Sequence, residues 1–169
     1  MEFDTRRLII KKFIPEYINV MFELWGNNEN VAKYLIDYRY DWDMDEYKES
    51  ILREYQDNKN NMLVVLDKES NNVVGNVKLH EEDFGTSVEI WIKDTEWNKG
   101  YGYELLKGII KYAKKNKISV LYASVNSNNI GGKTILDKCE FELLDTIKDA
   151  LEDNDGVVGD ELLYEFDLD

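Results

Sequence analysis

The chain is 169 residues long, enough for one domain with a sizeable core, and its 43% hydrophobic and 33% charged residues exclude a disordered polymer. No apolar run approaches the roughly 20 residues of a membrane span, and "MEFDTRRLIIKKF" lacks the basic-then-apolar layout of a signal peptide, so a cytoplasmic location is expected. A formal net charge of −14 argues against nucleic-acid or anionic-membrane partners and favours cationic ones such as amines, although it also serves solubility; the single cysteine, Cys139, excludes an internal disulfide and a cysteine metal cluster.

Residues 8–13 form the first strand candidate, and the only proline, Pro15, follows where a first helical turn tolerates it. Apolar residues at helical spacing run over 17–25 until "GNNEN" interrupts them. Further helical stretches are expected over 30–38 and, after "DYRYDWD", over 44–57. The period then changes. "NMLVVLD" and "NVVGNVKLH", joined by "KESNN", predict a hairpin, and "SVEIWIK" continues it as a third strand. An amphipathic helix over 103–116 follows, with Leu105, Ile109 and Ala113 at i, i+4 and i+8, and its "KKNK" end suits the negative pole of the helix dipole. "ISVLYASV" is the next strand, parallel to "SVEIWI" if the helix is a crossover. A shorter helix over 131–138 and two strands around "EDNDG" complete a mixed α/β (α+β) single domain spanning residues 1–169.

The stretch "EWNKGYGYELLKGII", residues 96–110, places two glycines one residue apart where a strand gives way to a helix. It is not a dinucleotide fingerprint, because Leu105 stands where a third small residue is needed, and "GYE" is not the Gly-Lys-Ser/Thr of a P-loop. What remains is either a plain strand–helix turn or a run of backbone N–H groups at a helix start, an arrangement that binds a diphosphate. Gly100 and Gly102 would let such a ligand approach the backbone, and Lys99 would add a cation.

Two longer segments, "VEIWIKDTEWNKGYGYELLKGIIKYA" and "ISVLYASVNSNNIGGKTILDKCEFELL", resemble the GCN5-related N-acetyltransferase (GNAT) superfamily, most nearly its ribosomal-protein, polyamine and antibiotic acetyltransferase branch. That family's coenzyme A loop is Arg/Gln-x-x-Gly-x-Gly/Ala, and Trp97-Asn98-Lys99-Gly100-Tyr101-Gly102 fits it except at the first position. "NIGGKTILDKCEF" is similar to the branch's Asn-x-x-Ser-x-x-x-Leu-x-Lys-x-Gly-Phe, while "FELWGNNENVAKYL" and "GDELLYEFDL" resemble its first helix and last strand.

The resemblance implies a mostly antiparallel, splayed central sheet of about seven strands flanked by helices, with acetyl-CoA as donor. The diphosphate would lie on the amides of Asn98, Lys99, Gly100, Tyr101, Gly102 and Tyr103, beside Trp97. The pantetheine arm would run along Ile90, Trp91 and Ile92 like an added strand, its amides pairing with an open strand edge. The Ile92 N–H would polarise the thioester carbonyl. Asn129, with Gly132 and Lys133 in the same motif, would contact the cofactor; as a plain N-cap Asn129 would do equally well, and the two roles are compatible.

Departures from the family bear on mechanism. Leu136 stands where many GNAT enzymes carry a tyrosine general acid, Gly132 replaces a serine, and Glu140 replaces a glycine. A thiol with a pKa of roughly 8.5 can still leave with help from solvent. An attacking amine must first lose a proton, and Glu89 is the candidate base, sharing a strand face with Trp91. A solvated strand carboxylate is the other reading of Glu89, and a surface histidine that of His80.

"DYRYDWDMDEY", residues 37–47, interleaves acids and rings that would suit an ammonium acceptor, or else forms a solvated helix connection. "DNDG" is a turn, since Leu151 stands where a calcium loop's first Asp belongs, and Cys139 reads as structural. The expected activity is direct acetyl transfer to a primary amine, of a protein N-terminus, polyamine, aminoglycoside or other small molecule, by a monomer or homodimer. The alternative is a non-catalytic acyl-CoA-binding module on the same fold.

Overall fold

The computed structural model describes residues 2–34, 41–57, 62–153 and 155–168. Eight strands make one sheet: β1 (Phe3–Asp4), β2 (Leu8–Lys12), β3 (Met62–Asp67), β4 (Val73–Glu82), β5 (Gly85–Ile92), β6 (Val120–Asn126), β7 (Glu142–Glu152) and β8 (Val158–Asp167). Their order in space is β1-β2-β3-β4-β5-β6-β8-β7. The strand beyond the expected seven, β1, has two residues and therefore no period to read; its pairing of Phe3 with Ile10 defines it, and the Phe3 ring stacks on Tyr112 at 5.5 Å.

The expected 17–25 helix is a chain of three short turns: a 3-10 turn Pro15–Tyr17, α1 (Ile18–Met21) and a π-helical turn Phe22–Gly26. Two further helices follow, α2 (Glu29–Ala32) and α3 (Met44–Asp57). The remainder of the helix expected over 30–38, and residues 37–40 of the acid–aromatic stretch, lie largely outside the described residues. Asp43 accepts the amides of Asp45 and Glu46, both at 2.9 Å, so one acid of that stretch starts α3.

Both sheet faces are covered, as expected of a sheet flanked by helices. On one face α4 (Tyr101–Lys115) and α5 (Ile130–Lys138) bury Leu105, Leu106, Ile109 and Leu136 against Leu63, Val77, Val88 and Leu121. On the other, the chain from Phe13 to Ala32 and α3 bury Phe13, Met21, Trp25 and Tyr47 against Met62, Val64 and Trp91. Alternation along β5 explains the split, because Val88 reaches the first cluster and Trp91 the second. Among the described residues no helix is long and apolar enough to cross a membrane.

Candidate active site

The central parallel pair is the defining irregularity of the sheet. β5 and β6 pair only at Thr86–Leu121 and Ser87–Tyr122. Beyond Ser87 each strand pairs only with its outer neighbour, β5 with β4 and β6 with β8. The Lys93 N–H donates to the Val74 carbonyl at 2.8 Å, which fixes the alternation: odd-numbered β5 residues turn their backbone to β4. The N–H groups of Ile90 and Ile92, beyond the last pairing, therefore face the gap, an open edge that an extended, amide-bearing molecule can extend. The Ile92 carbonyl, on the same side, accepts the Trp97 indole N–H at 2.7 Å, tying the end of β5 to the following loop. Trp91 pairs its backbone with Asn76, and its ring is buried on the face away from α4.

That loop leads to α4 through two left-handed residues, Asn98 at φ 61° and Gly100 at φ 81°. Glycine suits the second position because it adopts positive φ without a Cβ penalty. The first helical hydrogen bond runs from Glu104 N–H to the Gly100 carbonyl at 3.0 Å. Among the described residues, no hydrogen-bond acceptor serves the backbone N–H groups of Asn98, Lys99, Gly100, Tyr101, Gly102 or Tyr103. Such a cluster at the positive end of a fifteen-residue helix is a ready anion site.

The side chains of this loop turn elsewhere. The Lys99 ammonium pairs with Glu96 at 2.8 Å. The Tyr101 hydroxyl donates to Asp67 at 2.7 Å, Tyr103 is exposed, and Trp97 is exposed apart from its bond to Ile92. The small size of Gly102 also serves the contact between α4 and α5, because a Cβ there would sit 2.6 Å from Ile135 Cδ1.

Asn129 caps α5, its Oδ1 accepting the Gly132 N–H at 2.9 Å, while the Lys133 N–H bonds the Asn129 carbonyl at 3.1 Å. The Asn129 amide N–H groups and the half-buried Lys133 ammonium have no partner among the described residues. Leu136 is buried, and burial raises the Cys139 thiol to about 11, leaving it inert at neutral pH.

On the opposite face, Glu89 lies beside Lys78 in register, and His80 Nε2 is 2.9 Å from Glu89 Oε1. Lys78 sits over the Trp91 ring at 5.0 Å and pairs with Glu54 of α3 at 2.5 Å. The sequence placed Glu89 and Trp91 on one face but left His80 as an unrelated surface residue. Only the β4–β5 register brings His80 to Glu89. Asn30 donates to Asp94 at 3.1 Å, and Lys33 pairs with Asp155, which connects α2 to the turn between β7 and β8.

This combination of a split parallel pair, a glycine loop with free amides and a helix start defines a class of acyl-coenzyme A-dependent transferase. An acetyltransferase (GNAT) domain model matches residues 7–142, and the chain belongs to the GNAT acetyltransferases. No curated protein matches it in sequence. The fold is similar to that of a GNAT-family acetyltransferase from Bacillus anthracis, at TM-score 0.85 and 18% identity over 99% of both chains. It is similar to a ribosomal L7/L12 α-N-protein acetyltransferase in complex with coenzyme A, at TM-score 0.83 and 13% identity over 99% of this chain and 98% of that one. A spermidine N-acetyltransferase from Vibrio cholerae, in complex with coenzyme A and spermine, gives TM-score 0.82 and 20% identity over 96% of each chain. Coenzyme A is thus the cofactor of the family to which this N-acetyltransferase belongs.

Proposed function

We propose that the chain transfers an acetyl group from acetyl-CoA directly to a primary amine in the cytoplasm, with no covalent enzyme intermediate. One observation carries this reading: the unpaired amides of residues 98–103 stand at the mouth of the unpaired edge of β5, so anion site and amide-binding edge are continuous. These residues fit the cofactor. The amides of Asn98 to Tyr103 would hold its diphosphate, Ile90 and Ile92 would hold its arm, and the free amide of Asn129 and the ammonium of Lys133 would add contacts from α5. When bound, acetyl-CoA supplies an activated acetyl thioester.

The chain's own groups orient and exchange protons around it. The Ile92 N–H would donate to the carbonyl oxygen as charge builds there. Glu89 would accept the proton of the incoming ammonium, and His80, bonded to the same carboxylate, would pass it to solvent. Leu136 supplies no acid, so the thiolate would leave with help from solvent. The acceptor would approach on the face of Glu89, Lys78 and α3, and an acidic chain of net charge −14 attracts a cationic amine. Protein N-termini, polyamines and aminoglycosides all meet that description.

The test is coenzyme A thiol release from acetyl-CoA in the presence of each amine class. Turnover with at least one primary amine, absent when the amine is omitted, supports the reading. Tight acetyl-CoA binding without turnover across the panel would instead support an acyl-CoA-sensing module.

A further inference from the structure

We propose that Arg7, immediately before β2 and remote in sequence from the glycine loop, is the positioning residue that holds this loop in its diphosphate-binding form. The inference rests on the proposed placement of coenzyme A and assigns a residue to its support.

The Arg7 guanidinium meets three successive parts of the loop and helix. Its Nη1 donates to the Lys99 carbonyl at 2.9 Å, its Cζ lies 4.4 Å from the centre of the Tyr101 ring, and its Nε donates to Glu104 Oε2 at 2.6 Å. Glu104 is held firmly in turn, its Oε1 accepting both the Arg7 backbone N–H and the Thr5 hydroxyl at 2.6 Å. Tyr101 is fixed from its far end by Asp67. The planar fork of arginine permits all three contacts at once, whereas an ammonium offers one point charge.

The Lys99 contact carries the consequence for binding. A trans peptide sets its C=O and N–H on opposite sides. Drawing the Lys99 carbonyl toward Arg7 therefore aims the Gly100 N–H away from Arg7. The neighbouring Asn98 sits at φ 61°, a conformation that a non-glycine residue keeps only where its surroundings hold it. Without Arg7, the loop would sample other peptide orientations, and the cluster of amides would have to be reassembled each time an anion bound.

The experiment compares the wild-type protein with Arg7→Lys and Arg7→Met. It measures coenzyme A affinity by calorimetry, kcat and both KM values by thiol release, and amide exchange in the free protein. The expected result for Arg7→Lys is a KM for acetyl-CoA and a Kd for coenzyme A raised about tenfold. The kcat and the KM for the amine should change less than about twofold, and exchange should quicken at Glu104 and Leu105 but not later in α4. Arg7→Met should show the same split, with larger losses. Coenzyme A affinity unchanged in Arg7→Lys would overturn the assignment, as would kcat and both KM values worsening together with faster exchange throughout the chain. Wild-type protein that fails to bind coenzyme A would overturn the site placement itself, whereas normal wild-type binding with indifferent variants would overturn only the role of Arg7.

Discussion

His80 Nε2 lies 2.9 Å from Glu89 Oε1, across the β4–β5 pair and on the sheet face away from α4. Both side chains are partly exposed, so their bond is worth little to stability, roughly 0–1 kcal/mol, and its value lies in where it holds a proton acceptor. Glu89→Gln is expected to lower kcat about 10²-fold with an unchanged melting temperature, read by steady-state rates and thermal unfolding. His80→Ala should lower kcat by a smaller factor. A Glu89→Gln enzyme with full kcat would remove Glu89 from the reaction.

Gly102 and Ile135 form a second linked pair. A side chain at 102 meets the flexible end of Ile135 at 2.6 Å, so Gly102→Val should destabilise the fold by about 1–3 kcal/mol, measured by urea unfolding. Combining it with Ile135→Ala should recover part of that loss. Non-additive energies in the double variant are the required outcome.

Asp67 predicts a pH dependence. Hydrogen bonds from the Ser70 backbone and then from the Tyr101 hydroxyl, with others, hold its carboxyl at about 2 against an ordinary 3.8. A depressed carboxyl stabilises the folded state above pH 3.8, and that contribution disappears as pH falls through about 2. Tyr101→Phe removes one of these bonds. The stability advantage of wild type over Tyr101→Phe should therefore be constant from neutral pH down to about 4 and shrink below it, as followed by acid-titrated urea melts.

Cys139 has no exposed surface, and burial lifts its thiol to about 11. Iodoacetamide at pH 8 should leave the folded protein unmodified and label it once in denaturant, as read by intact mass. Rapid labelling of folded protein would show that α5 opens readily.

Gly102 and Trp91 show how far the sequence led and where it stopped. The spacing of Gly100 and Gly102 marked the turn that opens α4, because strand-to-helix transitions and glycine positions are local properties. The packing of Gly102 against a residue 33 positions away on another helix was not legible in that spacing. Strand alternation sends the Trp91 ring to the core on the face away from α4, and which of the two cores it would join was not written in β5. Arg7 carried no signal at all in "DTRRLII", where it is one of two adjacent arginines before a strand.

Most strands, the longer helices, the α+β class and the glycine turn were legible in the chain, because hydrophobic period and turn chemistry are written within stretches of twenty residues or so. The family followed from the resemblance of its motifs, while the two-residue β1 and the broken helix over 15–26 were not legible. Three relationships came from folding alone: β5 and β6 part after two pairings, His80 reaches Glu89, and Arg7 grips the loop from the residue before β2. These relationships join residues up to 97 positions apart, through register and helix packing that no local pattern encodes.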